Sequence, residues 1–196
     1  MRVLAVDQSS ILCGFTKFED GKLINYGLIQ LREAGEQYQK EITKEVNRLV
    51  NIDDRFVFLD AKNKNESLLS LRDYLIFEKP DCLLWEDLKT NINADTIRLL
   101  GEYTGVLREY GQEFKIDYRE YIPVSIRAKL CTLKTGKKGR GTKQDLARDM
   151  CKLHDIIHPI KRDSSLVTSD SHPFFNITDS IGIMEYHLKY GNCGKK

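Results

Sequence analysis

No Cys-x-x-Cys pair occurs among the five cysteines, and no apolar run is long enough to span a bilayer. The first absence removes the usual zinc-ribbon and redox motifs and, with an odd cysteine count, argues against a disulfide framework. Cys13, Cys82, Cys131, Cys151 and Cys193 stand in ordinary apolar or loop contexts, as thiols in a reducing cytosol do. The second absence predicts no membrane-spanning helix. Met1-Arg2-Val3-Leu4 runs into Asp7 almost at once, which leaves no room for a signal peptide. The expectation is a cytoplasmic protein with no membrane partner. Internal repeats are also missing, and the only compositionally biased tract is a short Gly/Lys/Arg segment. What is present is a chain of 196 residues, 41% of them hydrophobic, enough for one sizeable core and one domain over 1–196. The net charge of +2 comes from 31 basic and 29 acidic residues, so distribution matters more than the sum.

Residues 2–6, Arg-Val-Leu-Ala-Val, form a short apolar run suited to a buried central strand. Strands near 11–18 and 23–30 follow, with Glu19-Asp20-Gly21-Lys22 as the turn, since Asp-Gly between apolar runs signals a hairpin. The pattern predicts helices over 34–50 and about 64–78. Lys79-Pro80-Asp81 stops the second, and Cys82-Leu83-Leu84-Trp85 reads as a buried strand ending on Glu86. A helix near 94–110 carries Gly101 and Gly105 on one face, where close packing is expected. A fifth strand spans 114–121, a short helix 123–131, a basic loop about 134–142 and a helix 142–154. Residues 159–172 read as loop, and a last helix opens at Pro173 and runs to about Tyr190. A three-stranded antiparallel meander plus two parallel strands, flanked by helices, is the element order of an α/β RNase H-like fold.

Three acids stand where acids are costly: Asp7 and Glu86 at the ends of buried strands, and Asp179 within an otherwise apolar helix. A carboxylate at the edge of a core must be paired or must bind a metal, and the carboxyl ends of strands are where α/β sheets gather their sites. Together the three make a hard oxygen site for Mg²⁺ or Mn²⁺, with two ions able to activate a water and stabilise a leaving 3′-oxygen. Each also has a plain structural role open to it: a turn cap for Asp7, an ion pair for Glu86, and for Asp179 a solvated position or a helix-start cap shared with Asn176.

The stretches Val3-Leu4-Ala5-Val6-Asp7-Gln8-Ser9-Ser10 with Gly14-Phe15, Lys79 to Asp87, Asn91 through Gly105, and Asn176-Ile177-Thr178-Asp179-Ser180-Ile181-Gly182 resemble, in order and spacing, the motifs of RuvC-like Holliday junction resolvases. The small size and the Asp-Gln-Ser-Ser variant resemble versions carried by bacteriophages, which places the protein in a bacterial cytoplasm. The resemblance implies a homodimer that nicks opposing strands of four-way or branched DNA with Mg²⁺ and water. It assigns Asp7, Glu86 and Asp179 to catalysis and metal binding. Two positions depart from the family. Asn176 stands where most members have Asp, and is expected to lend a neutral oxygen to the metal. Leu88-Lys89 stands where many carry an aromatic that unstacks the junction.

Positive charge clusters from Arg127 and Lys129 to Arg148 and Lys152. Lys89, Lys134, Lys137, Lys138, Arg140 and Lys143 are the expected DNA contacts, because such a patch neutralises phosphates, and a cation near Lys143 meets charge at the scissile phosphate. A solvated loop is the plain alternative. Cys151, His154 and His158 share a helical face and raise a zinc reading, though without the usual spacing. Two other functions remain in competition: a junction-binding protein with weak or no cleavage, which Asn176 favours, and a phosphate-binding protein of the sugar kinase or actin-like ATPase group, which Val6-Asp7-Gln8-Ser9-Ser10 also resembles. The latter needs a second lobe and another Gly-rich loop, and neither is evident.

Overall fold

A computed structural model describes residues 1–9, 11–61, 64–87, 94–136, 141–156 and 172–191. The chain begins as a meander of β1 (Arg2–Asp7), β2 (Leu12–Glu19) and β3 (Lys22–Gln30), paired antiparallel in sequence. Asp20 and Gly21 both take positive φ, 49° and 78°, the left-handed pair that a two-residue hairpin turn needs to match strand twist. Next come α1 (Glu36–Ile52), β4 (Phe56–Asp60), α2 (Lys64–Glu78), β5 (Cys82–Glu86), α3 (Ala94–Glu113), β6 (Asp117–Tyr121), α4 (Pro123–Leu130), α5 (Lys143–His154) and α6 (Pro173–Tyr190).

The sheet has six strands in the order β4-β3-β2-β1-β5-β6, with β5 parallel to β1 and β6 parallel to β5. The meander and those two parallel strands are as the sequence predicts. β4 corrects the expectation of five: it pairs parallel to β3 and forms one edge of the sheet. Its Phe-Val-Phe-Leu-Asp run is only half-buried and follows Asp53-Asp54-Arg55, so it carries neither the alternation nor the apolar length of a central strand.

Alternation divides β1 between two cores. Val3 and Ala5 pack with Cys82, Leu84, Ile177 and Ile181 under α6. Leu4 and Val6 pack with Leu83, Trp85, Leu71, Leu75 and Leu107 under α2 and α3. Trp85 is a core residue, as expected, stacked on Tyr118 at 5.3 Å. α6 lies directly against the meander: a Cβ at Gly14 would stand 2.0 Å from the Asn176 carbonyl oxygen, so only glycine admits this approach. Buried Thr16 and Ser180 hydroxyls bond each other one turn further on. The start of α6 is fixed by His172, whose Nδ1 accepts the Phe174 N–H at 3.2 Å, with Pro173 in the first turn.

Gly101 and Gly105 are both exposed, and outside their own helix backbone no atom of the described residues lies within 4 Å of where their Cβ would be, so close packing at this face is not made within the described part of the chain. Cys13, Cys82, Cys131 and Cys151 are free and buried. No described helix is long and apolar enough to cross a membrane.

Candidate metal centre and nucleic-acid interface

β1 and β5 lie side by side and parallel, with Val6 opposite Trp85, so Asp7 and Glu86 are the next pair at the carboxyl ends of neighbouring strands. Adjacent strands are about 4.8 Å apart. Asp7 continues the series Val3, Ala5, and Glu86 continues Cys82, Leu84, so both carboxylates emerge on the face that α6 covers. Asp179 sits on that helix, 3% exposed, close to the Gly14 contact. Asp7 is equally buried at 3%, while Glu86 is half-buried. Residues far apart in sequence thus meet at the end of the central parallel pair.

Lys143, the first residue of α5, completes the group. Its Nζ lies 3.0 Å from Asp179 Oδ2. Burial works against its positive charge, but Asp179, then Asp7 and Glu86, outweigh it and hold the ammonium above an ordinary lysine. One cation therefore feels all three predicted carboxylates. Apart from the Lys143 contact, neither Asp179 oxygen accepts a hydrogen bond among the described residues. A buried carboxylate with open lone pairs calls for a cation. As the side chains stand, no three metal-ligating groups among the described residues converge closely enough to share an ion. The donors present are nonetheless the hard oxygens that Mg²⁺ and Mn²⁺ take, and Asp179 keeps open lone pairs among the described residues, so the residues fit such an ion in donor chemistry.

Asn176 is the fourth residue of α6, whose N-cap is His172, so it is no cap. Its Nδ2 donates to the Leu12 carbonyl at 3.0 Å, tying α6 to the start of β2. Asn176→Asp removes that donor and sets a carboxylate against a carbonyl. The variant is expected to lose about 1–3 kcal/mol of stability and yet to bind Mg²⁺ more tightly, because hard-cation sites strengthen with ligand charge. Mg²⁺ binding titrated by calorimetry on both proteins tests this, and superimposable curves would put Asn176 outside the metal shell.

Of the predicted DNA contacts, Lys143 faces the carboxylates and Lys134 is exposed. Lys89, Lys137, Lys138 and Arg140 lie outside the described residues, as do Leu88 and His158. Arg148 is engaged by Asp145 at 3.1 Å and Asp149 at 3.5 Å, and so is not a free cation of the patch. The zinc reading finds no support in what is described. Burial pushes the Cys151 thiol up to about 12, away from the thiolate a metal needs, and His154 Nε2 lies 3.1 Å from Glu185 Oε1.

Three nearby features escaped the sequence. Tyr38 of α1 is near enough to Lys143 for the two to interact; burial and Glu41 push its hydroxyl up to about 12 while Lys143 works the other way. Gln8, directly after Asp7, accepts from the Thr104 hydroxyl at 2.9 Å, and its buried Nε2 has no partner among the described residues. At the end of β6, Tyr121, opposite Glu86, bonds His187 Nδ1 at 2.5 Å. A lone Tyr, Gln or His carries no periodicity or spacing signal that would have marked it.

No protein-family model matches the sequence, and no curated protein matches it. Among solved structures the chain is similar to Thermus thermophilus RuvC in complex with a Holliday junction substrate, with TM-score 0.57 and 12% identity over 97% of each chain. It is similar to another Thermus thermophilus RuvC structure, with TM-score 0.55 and 13% identity over 96% of each chain. A yeast mitochondrial Holliday junction resolvase gives TM-score 0.46 and 13% identity, over 97% of this chain and 81% of that one. At such identities the likeness to RuvC speaks for architecture, and with the mixed sheet and its flanking helices it gives this chain the RNase H-like fold of RuvC.

Proposed function

We propose that the chain is a Mg²⁺-dependent, structure-selective DNA endonuclease that resolves four-way or branched junctions. The observation that carries this reading is the placing of Asp7 and Glu86 side by side at the carboxyl ends of the central parallel strands, on the face covered by α6, with Asp179 of α6 paired to the Lys143 ammonium at 3.0 Å. The fold shared with a RuvC bound to a Holliday junction substrate supports the choice of DNA. Asp7, Glu86 and Asp179 would hold the metal, with Asn176 Oδ1 as a neutral neighbour. Bound Mg²⁺ or Mn²⁺ would supply an activated water and Lewis acidity at the leaving 3′-oxygen. Lys143 brings fixed positive charge to where negative charge grows on the phosphate. Lys89, Lys134, Lys137, Lys138 and Arg140 are assigned to neutralising phosphates along the DNA arms.

Paired nicks across a two-fold junction call for two such sites related by a two-fold axis, hence a homodimer. The open face of α3, with exposed Ile97, Gly101 and Gly105, is the surface assigned to that contact. The sugar kinase reading gains nothing from the structure, since one sheet of RuvC-like order accounts for all six described strands.

A synthetic four-way junction and a linear duplex of the same sequence, each with Mg²⁺, Mn²⁺ or chelator, test the reading. Metal-dependent nicking confined to the junction is the expected result. Tight junction binding without nicking would establish the non-catalytic alternative. Absence of both would overturn the assignment.

A further inference from the structure

Two carboxylates of α5 are spent on the connection from α4. Asp149 accepts the Thr132 N–H at 2.7 Å and the Thr132 hydroxyl at 2.9 Å. Asp145, 2% exposed, does more. Its Oδ2 accepts the Thr135 N–H at 3.1 Å, the Thr135 hydroxyl at 2.8 Å and the Thr142 N–H at 2.9 Å, while Oδ1 takes the Arg148 guanidinium at 3.1 Å. The Thr142 hydroxyl accepts the Asp145 N–H in return at 3.1 Å. Burial raises the Asp145 pKa, but the hydrogen bonds from Thr142 and Thr135 outweigh it and hold the carboxyl far below the usual range.

A capping box needs only the reciprocal bonds between Thr142 and Asp145. The bonds to Thr135 are surplus to that motif. They bring both ends of the stretch from Thr135 to Thr142 onto one oxygen atom. Gly141 reinforces this anchorage, because a Cβ there would stand 2.2 Å from Cys131 Sγ. Lys143 is the next residue after Thr142, so whatever fixes Thr142 fixes the root of the Lys143 side chain.

From this geometry we infer that Asp145 is the positioning residue that sets the Lys143 ammonium against Asp179, an assignment that rests on the nuclease reading of that site. Asp145 touches none of the reacting groups and acts through Lys143 alone. A merely structural helix cap would affect stability without a specific effect on that amine.

The experiment reads the Lys143 amine directly, by its acetylation rate with acetic anhydride, followed by peptide mass spectrometry on folded protein. Freeing the largely buried amine from Asp179 into solvent is expected to speed labelling about fivefold or more in Asp145→Ala. Asp149→Ala, which loosens the same connection at Thr132 only, should leave the rate unchanged. Asp145→Ser, whose shorter side chain cannot span Thr135 and Thr142, serves in its place should Asp145→Ala fail to fold. Junction cleavage at saturating DNA should fall about tenfold in Asp145→Ala with unchanged DNA affinity. In a Lys143→Ala background the Asp145 change should then cost nothing further. An unchanged labelling rate in a folded Asp145 variant, or an additional loss in the Lys143→Ala background, overturns the inference. If the wild-type protein leaves junctions intact, the nuclease reading fails, while the labelling result still decides whether Asp145 positions Lys143.

Discussion

Asp7→Asn is expected to abolish junction nicking, by at least about 10³-fold, the scale of losing a group that acts on transition-state charge, while junction affinity stays near wild type. Asp7 is 3% exposed at the end of β1 and shares the Lys143 cation with Asp179 and Glu86. Asparagine is nearly isosteric, so packing survives, but the site loses one of its negative charges and a hard cation binds less tightly. The residues proposed to meet phosphate do not include this carboxylate, so binding and chemistry are expected to separate. Nicking at near-wild-type rate would remove Asp7 from the metal site. The folded variant should still melt cooperatively, which distinguishes a chemical loss from collapse of the β1 end.

Gly14→Ala should destabilise the protein by about 3 kcal/mol or more, at the upper end of what overpacking costs. The added Cβ would stand 2.0 Å from the Asn176 carbonyl oxygen, 2.2 Å from its carbon and 2.8 Å from the Ile177 nitrogen. These are backbone atoms of α6 and cannot rotate away as a flexible side chain would. The helix must move off β2, and Asp179, one turn along, moves with it. Loss of stability in urea and loss of nicking should therefore appear together, unlike the Asp7 variant. A Gly14→Ala protein with wild-type urea midpoint would show that α6 does not approach β2 this closely.

The strands most legible in the sequence were those the fold buries most. Arg2–Asp7 and Cys82–Glu86 are continuous apolar runs ended by an acid, and the structure buries them on both faces. The Asp20-Gly21 turn announced itself because few residues accept positive φ in succession. β4 was not legible: half-buried at the sheet edge, it needs little apolar sequence, and its pairing with β3 is a long-range event. The glycines of α3 show the limit of helical spacing, which tells that two residues share a face and leaves open what lies opposite.

For the site, sequence alone determined which acids are costly to bury and that Asp7 and Glu86 end strands. These follow from local composition, since each acid interrupts or closes an apolar run. It did not determine that the two are neighbours on one face, because that depends on the parallel register of Val6 with Trp85. Nor did it reveal that Lys143 pairs with Asp179, that Asn176 spends its amide on Leu12, or that Asp145 closes the segment leading to Lys143. Those facts belong to the tertiary structure. A side chain's partner is set by the packing of elements distant along the chain, and no local pattern encodes the few ångströms between α5, α6 and the strand ends.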